Sequence, residues 1–253
     1  MAKSTINSDD MKRYARHMAL PDFGAFEQQS LKNAHILMIG AGGLSAAALP
    51  YLAGAGIGKI TIYDDDTADI SNLHRQTIYK TEQTGQNKAE LAARYASSLN
   101  PSIKIKAISE RFSINEIEKT NFDLIFDGSD NFQTKTMLNV LSIKTETPLI
   151  SASVNQYSGQ CGIFAGFAED QPCYSCLFPE LPKNARNCNE AGVLGTAAGI
   201  TGLYQAHLTL LFLADLKKTV PGTFLSFDYA KQRLQKFTVS KNKNCTVCNH
   251  NGK

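Results

Sequence analysis

The sequence predicts an α/β protein: a Rossmann-like, mostly parallel, doubly wound sheet, extended by antiparallel strands at its C-terminal end. Three observations predict it. Over residues 35–154 apolar β-runs alternate with helical patterns in the order βαβαβαβαβ, which calls for crossover helices and a mostly parallel sheet. The first run ends in "GAGGLS" and the second in "YDDD", the outline of a nucleotide-binding unit. Beyond residue 155 the alternation stops and a hairpin pattern takes over.

Each element has its own justification. "HILMI" (35–39) is simply apolar, as a strand buried on both faces is. Residues 44–54 read as a helix and "KITIYD" (59–64) as the second strand. "NKAELAARYASSLN" (87–100) is helical and is stopped by Pro101. "IKIKAI" (103–108) alternates and is β-branched, so it is a strand. A short helix is expected near 114–119, then "FDLIFD" (122–127) as a strand. "NFQTKTMLNVLSIKT" (131–145) is a helix and "PLISASV" (148–154) a strand. "GQCGIFAGF" gives a further strand, followed by a loop rich in Pro, Asn and Cys (169–190). Residues 222–240 read as a hairpin turning near Ala230.

Composition sets bounds. The 253 residues are 43% apolar, enough to bury a sizeable core. A net charge of +3, from 26 basic and 23 acidic residues, gives no polyanion-binding surface, so no nucleic-acid partner is expected. The N-terminal "MAKSTINSDDMKRYARHM" has no apolar h-region, so no signal peptide is expected and the expected compartment is the cytoplasm. The long apolar segment 191–216 has the length of a membrane span. Thr196, Thr201, Gln205, His207 and Thr209 lie within it, so a buried core helix is the expectation, and no membrane partner is expected.

The glycine turn sits at the carboxyl end of a strand and opens a helix, where backbone N–H groups and the helix dipole receive phosphate. Asp64 ends the next strand about 20 residues beyond the glycines, where an acidic side chain commonly holds ribose hydroxyls. A tight strand-to-helix turn is the bland reading of the same glycines. No GK[ST] follows, which excludes a P-loop. Arg75 in "NLHRQT", Lys88 in "GQNK", and Asp127 and Asp130 in "DGSDN" come to the same sheet edge. Cations neutralise a triphosphate, and a carboxylate beside them holds Mg²⁺; hydride transfer needs neither. Singly, Arg75 and Lys88 are ordinary loop and helix charges, and Asp130 is a possible helix cap.

Of six cysteines, four form two C-x-x-C pairs, Cys173 with Cys176 and Cys245 with Cys248. Four thiolates suit a tetrahedral structural zinc that ties the C-terminal tail to the loop after the sheet; a redox C-x-x-C is the rival.

Taken together, "RYARHMAL", "GAGGLS", "YDDDTADISNLHRQT", "GQNKAE", "DGSDN", "PLISAS", "CYSCLFP", "NCNEAGVLG" and "CTVC" resemble the ThiF/MoeB/HesA family, relatives of the ubiquitin-activating enzymes. The resemblance runs from about residue 12 to 249 and looks closer to the ThiF branch. It implies a sulfur carrier protein adenylyltransferase. Such enzymes use ATP and Mg²⁺ to adenylate the C-terminal Gly-Gly carboxylate of a ubiquitin-like sulfur carrier, which then accepts sulfur from a persulfide donor, a cysteine desulfurase or a rhodanese. The ThiF branch implies thiamine biosynthesis; a MoeB-type activator of the molybdopterin-synthase carrier is the alternative. An NAD-dependent oxidoreductase is the distant one, and the cation pair argues against it.

By motif match the resemblance gives Gly40, Gly42 and Gly43 to backbone approach to the nucleotide. Asp64 and Asp66 fall in the nucleotide-binding acidic stretch, with Asp64 on the ribose. Asn72 stands near the phosphates, Arg75 and Lys88 on them, and Asp130 on Mg²⁺. Arg16 resembles an arginine that reaches the partner subunit's site, which implies a homodimer; Arg13 is the weaker candidate. Cys188 occupies the position of a crossover-loop cysteine linked in some members to a covalent bond with the carrier. A single adenylation domain over 1–253 is implied: a helical arm (1–33), a nucleotide-binding half (34–155), and a carrier-binding half (156–253) with the crossover loop and the zinc site. Three positions depart from the pattern. Ser45 replaces a third glycine, Lys135 stands where arginine is usual, and Cys161 has no role beyond a buried thiol. His17 and His74 read as polar surface or ligand-adjacent, and His207 as a satisfied core histidine.

Overall fold

The computed structural model describes residues 5–114, 121–180, 192–216 and 219–249. Three short helices, α1 (Ser8–Arg13), α2 (Ala15–Met18) and α3 (Ala25–Asn33), precede the sheet. Asn7 caps α1 in a capping box with Asp10. Tyr14 is buried and accepts a hydrogen bond from Asn100 Nδ2 (2.9 Å), and Lys32 pairs with Asp10, so the arm is fastened to the domain.

The β/α units follow: β1 (His35–Ile39), α4 (Gly43–Gly54), β2 (Lys59–Tyr63), α5 (Lys88–Leu99), β3 (Lys104–Ile108), β4 (Leu124–Asp127), α6 (Phe132–Lys144) and β5 (Leu149–Asn155). Then come β6 (Ser158–Phe164), α7 (Tyr174–Leu177), α8 (Gly195–Leu213), β7 (Thr223–Asp228) and β8 (Arg233–Thr238). One eight-stranded sheet has the order β3-β2-β1-β4-β5-β6-β7-β8. Strands β1 to β5 pair in parallel and β5 to β8 antiparallel. The expected fold class and the hairpin near Ala230 are both present. Of the helix expected at 114–119, residues 115–120 lie outside the described residues.

Alternation persists inside the apolar runs. Ile36, Met38, Ile60, Ile62 and Phe126 join one core with Leu31 of α3, Leu49 of α4, Leu91 of α5 and Ala206 of α8. Leu37, Ile39, Tyr63 and Ile125 face the other core, with Leu138 and Leu141 of α6 and Tyr174 of α7. Apolar side chains on both faces of β1 explain why it shows no polar alternation beyond His35.

Helix α8 packs into the core as expected, but along one face only. Thr201, Gln205 and Thr209 are fully buried on it, and among the described residues no helix is long and apolar enough to cross a membrane. It crosses α4 closely: a Cβ on Gly202 would stand 2.3 Å from Leu44 O. His207 corrects an expectation. It is exposed, because α8 turns its 200, 203 and 207 positions away from the sheet while 205, 206 and 209 face it.

Candidate nucleotide-binding site

Strand order reverses around β1: the chain builds outward to β3, then returns to place β4 on the other side of β1. Ligands of open α/β sheets bind outside the carboxyl ends of strands at such a switch point. A cleft of about 760 Å³ lies there, lined by Gly40, Gly42, Gly43, Asp64, Asp66, Asn72, Arg75, Lys88 and Asp130 among others. All nine side chains or turn residues expected to handle nucleotide on this chain therefore share one cavity.

The turn after β1 is built for close approach. Gly40 has φ +85°, and a Cβ there would lie 3.0 Å from Gly128 O. Gly42 caps α4, whose first turn opens on the cleft. Ser45 keeps the strand–helix packing tight despite its side chain. Its Oγ donates to Gly40 O at 2.5 Å and fills the space that a Cβ on Gly128 would take. The departure from glycine is thus accommodated by a glycine opposite.

Asp64 accepts hydrogen bonds from the Ala41 N–H (2.6 Å) and the Asp66 N–H (2.9 Å). Burial pushes its carboxyl above the ordinary range, against the opposing pull of those two N–H groups and of Lys88. The carboxylate braces the glycine turn from the end of β2. Lys88 opens α5, where Asn87 is the N-cap and accepts from Glu90 N at 3.1 Å. Its side chain is 7% exposed and its Nζ lies 3.0 Å from Asp66 Oδ2. Arg75 donates to Asn72 Oδ1 at 2.8 Å, and its Nη1 lies 2.9 Å from His74 Nε2.

Asp130 is exposed at the cleft rim. It is not the cap of α6: Asn131 is, accepting from Thr134 N at 2.8 Å. Asp127 does not stand beside Asp130 in the cleft, which corrects the expectation for that one carboxylate; Asp64, Asp66 and Asp130 do gather there. Asp127 is fully buried and accepts from Ser129 N, Ser129 Oγ, Ser151 Oγ and Lys135 Nζ. Odd positions of β4 face α6, so Asp127 points at Lys135 instead of into solvent.

Sequence reasoning missed two neighbours. Gln76, next to Arg75, is buried at the cleft, donates to Asn72 Oδ1 (3.3 Å), and its Oε1 has no partner among the described residues. Tyr79 donates to Ala41 O (2.7 Å) and Lys88 O (3.3 Å), tying the glycine turn to the start of α5; burial pushes its hydroxyl pKa up. Gln76 was legible as a polar residue in the quoted motif, but nothing in the sequence marks Tyr79 as other than core.

Arg16 is exposed on α2 and does not line this chain's cleft. Arg13 is exposed and reaches Leu99 O at 3.4 Å. His17 is half-buried against Gln28, with His17 Nδ1 and Gln28 Oε1 3.1 Å apart. His74 is exposed beside Arg75, and Cys161 is a fully buried free thiol. Cys188 lies outside the described residues.

The C-x-x-C pairs meet. Cys173, Cys176, Cys245 and Cys248 are free thiols whose sulfur atoms all lie within 4.8 Å of one another. Sγ–Sγ distances of 3.6 Å (Cys173–Cys245), 3.8 Å (Cys173–Cys176) and 3.5 Å (Cys176–Cys248) approach the edge of about 3.8 Å of a tetrahedron with zinc–sulfur bonds of 2.3 Å. Asn139 Nδ2 and the Asn242 N–H donate to Cys173 Sγ (3.5 Å) and Cys176 Sγ (3.4 Å), as donors around a metal thiolate do. The donor set fits a closed, four-thiolate ion.

The family model described as "ThiF family" matches residues 14–247. The chain is 36% identical over 247 residues to a sulfur carrier protein adenylyltransferase of Thermus thermophilus, covering 95% of this chain and 91% of that protein. It is 34% identical over 245 residues to a molybdopterin-synthase adenylyltransferase of Salmonella typhimurium, covering 96% and 98%. The crystal structure of E. coli MccB with ATP superposes with a TM-score of 0.81 at 20% identity, covering 96% of this chain and 75% of that one. By sequence match over nearly its whole length, the chain belongs to the ThiF family.

Proposed function

We propose that this protein adenylates the C-terminal Gly-Gly carboxylate of a ubiquitin-like sulfur carrier, consuming ATP and releasing pyrophosphate. The observation that carries the reading is the convergence of a glycine turn, Lys88, Arg75 and Asp130 on one cleft of a ThiF-family chain. The protein is an adenylyltransferase, as its relatives from Thermus thermophilus and Salmonella typhimurium are named. A buried cation, Lys88, in the same cleft as the glycine turn favours splitting a triphosphate over recycling a dinucleotide.

The carrier carboxylate is ionised at neutral pH, so its attack needs no general base. One carboxylate oxygen bonds to the α-phosphorus, the bond to the β-phosphate oxygen breaks, and pyrophosphate carries away the charge. What the protein supplies is alignment and charge neutralisation. The turn at Gly40, Gly42 and Gly43 offers backbone N–H groups to phosphate, and Asp64 receives ribose hydroxyls. Lys88 and Arg75 neutralise phosphate charge, with Asn72 fixing Arg75 and Asp66 holding Lys88 in the free enzyme. Asp130 would hold Mg²⁺, which when bound screens the phosphates and polarises the α-phosphoryl group.

The four cysteines hold structural zinc in this reading. The protein works as a cytoplasmic homodimer in which Arg16 reaches the partner subunit's cleft. The thiamine pathway carrier is the preferred substrate, on the strength of "YDDDTADISNL", "TPLISAS" and "CLFPELPKNARNC"; the molybdopterin-pathway carrier is the second reading, favoured by the Salmonella relative. Sulfur then comes from a persulfide donor, a cysteine desulfurase or rhodanese, with Cys188 as the candidate for a covalent bond to the carrier. The one-domain division at 33/34 and 155/156 goes with this reading.

ATP–pyrophosphate exchange with purified protein and small Gly-Gly carriers tests it. Exchange that depends on one carrier is expected. No exchange with any Gly-Gly carrier, together with tight nicotinamide-cofactor binding, would overturn it.

A further inference from the structure

Lys135, which lines the cleft, forms a buried ion pair with Asp127 behind it, with side chains 4% and 0% exposed and Nζ 2.9 Å from Oδ2. Two ions taken from water are costly unless their remaining hydrogen-bonding capacity is used, and here Asp127 accepts four hydrogen bonds and Lys135 donates two. Asp127 Oδ1 accepts from the Ser129 N–H (3.0 Å) and hydroxyl (2.5 Å); Oδ2 accepts from Ser151 Oγ (2.5 Å) and Lys135. Lys135 Nζ also donates to Ala152 O of β5 at 2.6 Å. From the opposite face of the sheet, Gln205 Nε2 donates to Asp127 O (2.8 Å) and Ile150 O (3.0 Å).

The geometry of these contacts has a direction. The two Ser129 bonds fold the chain back on Asp127 immediately before Asp130. The Gly128 N–H donates to Ile39 O at 2.9 Å, and Ser45 Oγ packs where a Cβ on Gly128 would stand 2.2 Å away. The turn that carries Asp130 is thus gripped at 127, 128 and 129, while Asp130 itself is exposed. Lysine in place of arginine fits the arrangement: a point charge takes one carboxylate oxygen and the Ala152 carbonyl, leaving the other contacts to two serine hydroxyls.

We propose that Asp127 and Lys135 are positioning residues that aim Asp130 at the metal bound with ATP, without touching nucleotide or metal themselves. The proposal rests on the metal-holding role of Asp130 given above. The experiment measures Mn²⁺ binding, by electron paramagnetic resonance, to full-length protein saturated with a non-hydrolysable ATP analogue. The variants are Asp130→Ala, Asp127→Asn, Ser129→Ala and Lys135→Arg, with thermal unfolding to confirm folding. Partners that orient a metal ligand typically govern 10–100-fold in metal affinity. Asp127→Asn should raise half-saturating Mn²⁺ about tenfold, with metal-free analogue affinity unchanged, Ser129→Ala should raise it less, and Lys135→Arg should retain near-normal binding. If Asp130→Ala weakens Mn²⁺ and a folded Asp127→Asn does not, the positioning role is overturned while the reading of the cleft stands. If Asp130→Ala has no effect, that reading of Asp130 fails and the proposal falls with it. Should Asp127→Asn not fold, unchanged Mn²⁺ binding in Ser129→Ala overturns the proposal.

Discussion

Lys88 Nζ lies 3.0 Å from Asp66 Oδ2, with the lysine side chain 7% exposed and the aspartate 73% exposed. The pair is asymmetric: packing holds the cation in the cleft wall, while its partner stands in solvent. A phosphate oxygen entering the cleft competes with Asp66 for the ammonium, and Asp66 is free to withdraw into water. Lys88→Ala should lower carrier-dependent ATP–pyrophosphate exchange by about 100-fold or more, the scale of losing one charge-stabilising donor, with the fold intact. Asp66→Ala should cost much less. Normal exchange in Lys88→Ala would remove the lysine from the chemistry.

The four-cysteine cluster joins α7 to the chain beyond β8, where Cys245 and Cys248 are buried. Cys176→Ser removes one of the four thiols that meet among the described residues. Bound zinc, measured by elemental analysis, should fall to background, and the melting temperature should fall with it, because structural metal binding is folding free energy. A chelator should produce the same drop in the unmodified protein. Unchanged metal content in the variant would defeat the zinc assignment.

His35 titrates well below an ordinary histidine, at about pH 4. Burial is the main cause and Lys59 the second, against a weaker upward pull from the backbone of Asn121. The unfolded chain takes up this proton near 6.5, so between 6.5 and 4 the unfolded state binds more protons than the native state. Stability from this group is therefore full above about pH 6.5 and declines as pH falls toward 4. The ring is half-buried, so with solvent screening the loss is about 1–2 kcal/mol. Denaturant midpoints compared at pH 4.5 and 7.5 should show it, and His35→Gln should flatten the difference; an equal slope in the variant would refute it.

Two glycines of α8 should respond to alanine with opposite signs. A Cβ on Gly202 meets Leu44 O at 2.3 Å, whereas one on Gly199 meets nothing within 4 Å. Gly202→Ala forces α4 and α8 apart and should cost about 1–3 kcal/mol, as overpacking does. Gly199→Ala should gain up to about 1 kcal/mol of helix propensity. Thermal unfolding of both variants checks the pair, and stabilisation of both would show that the helices are not in fixed contact.

The cleft was legible to the extent that its chemistry sits in short motifs. Gly40, Gly42, Gly43, Asp64, Lys88 and Asp130 each follow a strand end or open a helix, so strand order brings them together, and the loop between β2 and α5 adds Arg75. Asp127 shows the boundary of that logic. In the sequence it is one more carboxylate three residues from Asp130; only the pleat of β4 turns it toward Lys135 and away from the cleft. His207 fails in the same way, since an apolar stretch does not say which face of the helix meets the sheet.

By itself, then, the sequence determined the α/β class, the sheet's change from parallel to antiparallel pairing, the nucleotide turn and the pairing of two distant C-x-x-C motifs. Those features are written in local periodicity and in residue types with few alternative uses. The tertiary structure alone decided which charges are buried with partners, that Gly128 yields its space to Ser45, and that the backbones of α4 and α8 approach closely at Leu44 and Gly202. These depend on distances between segments far apart in the chain, and close packing fixes such distances only when the whole core is assembled.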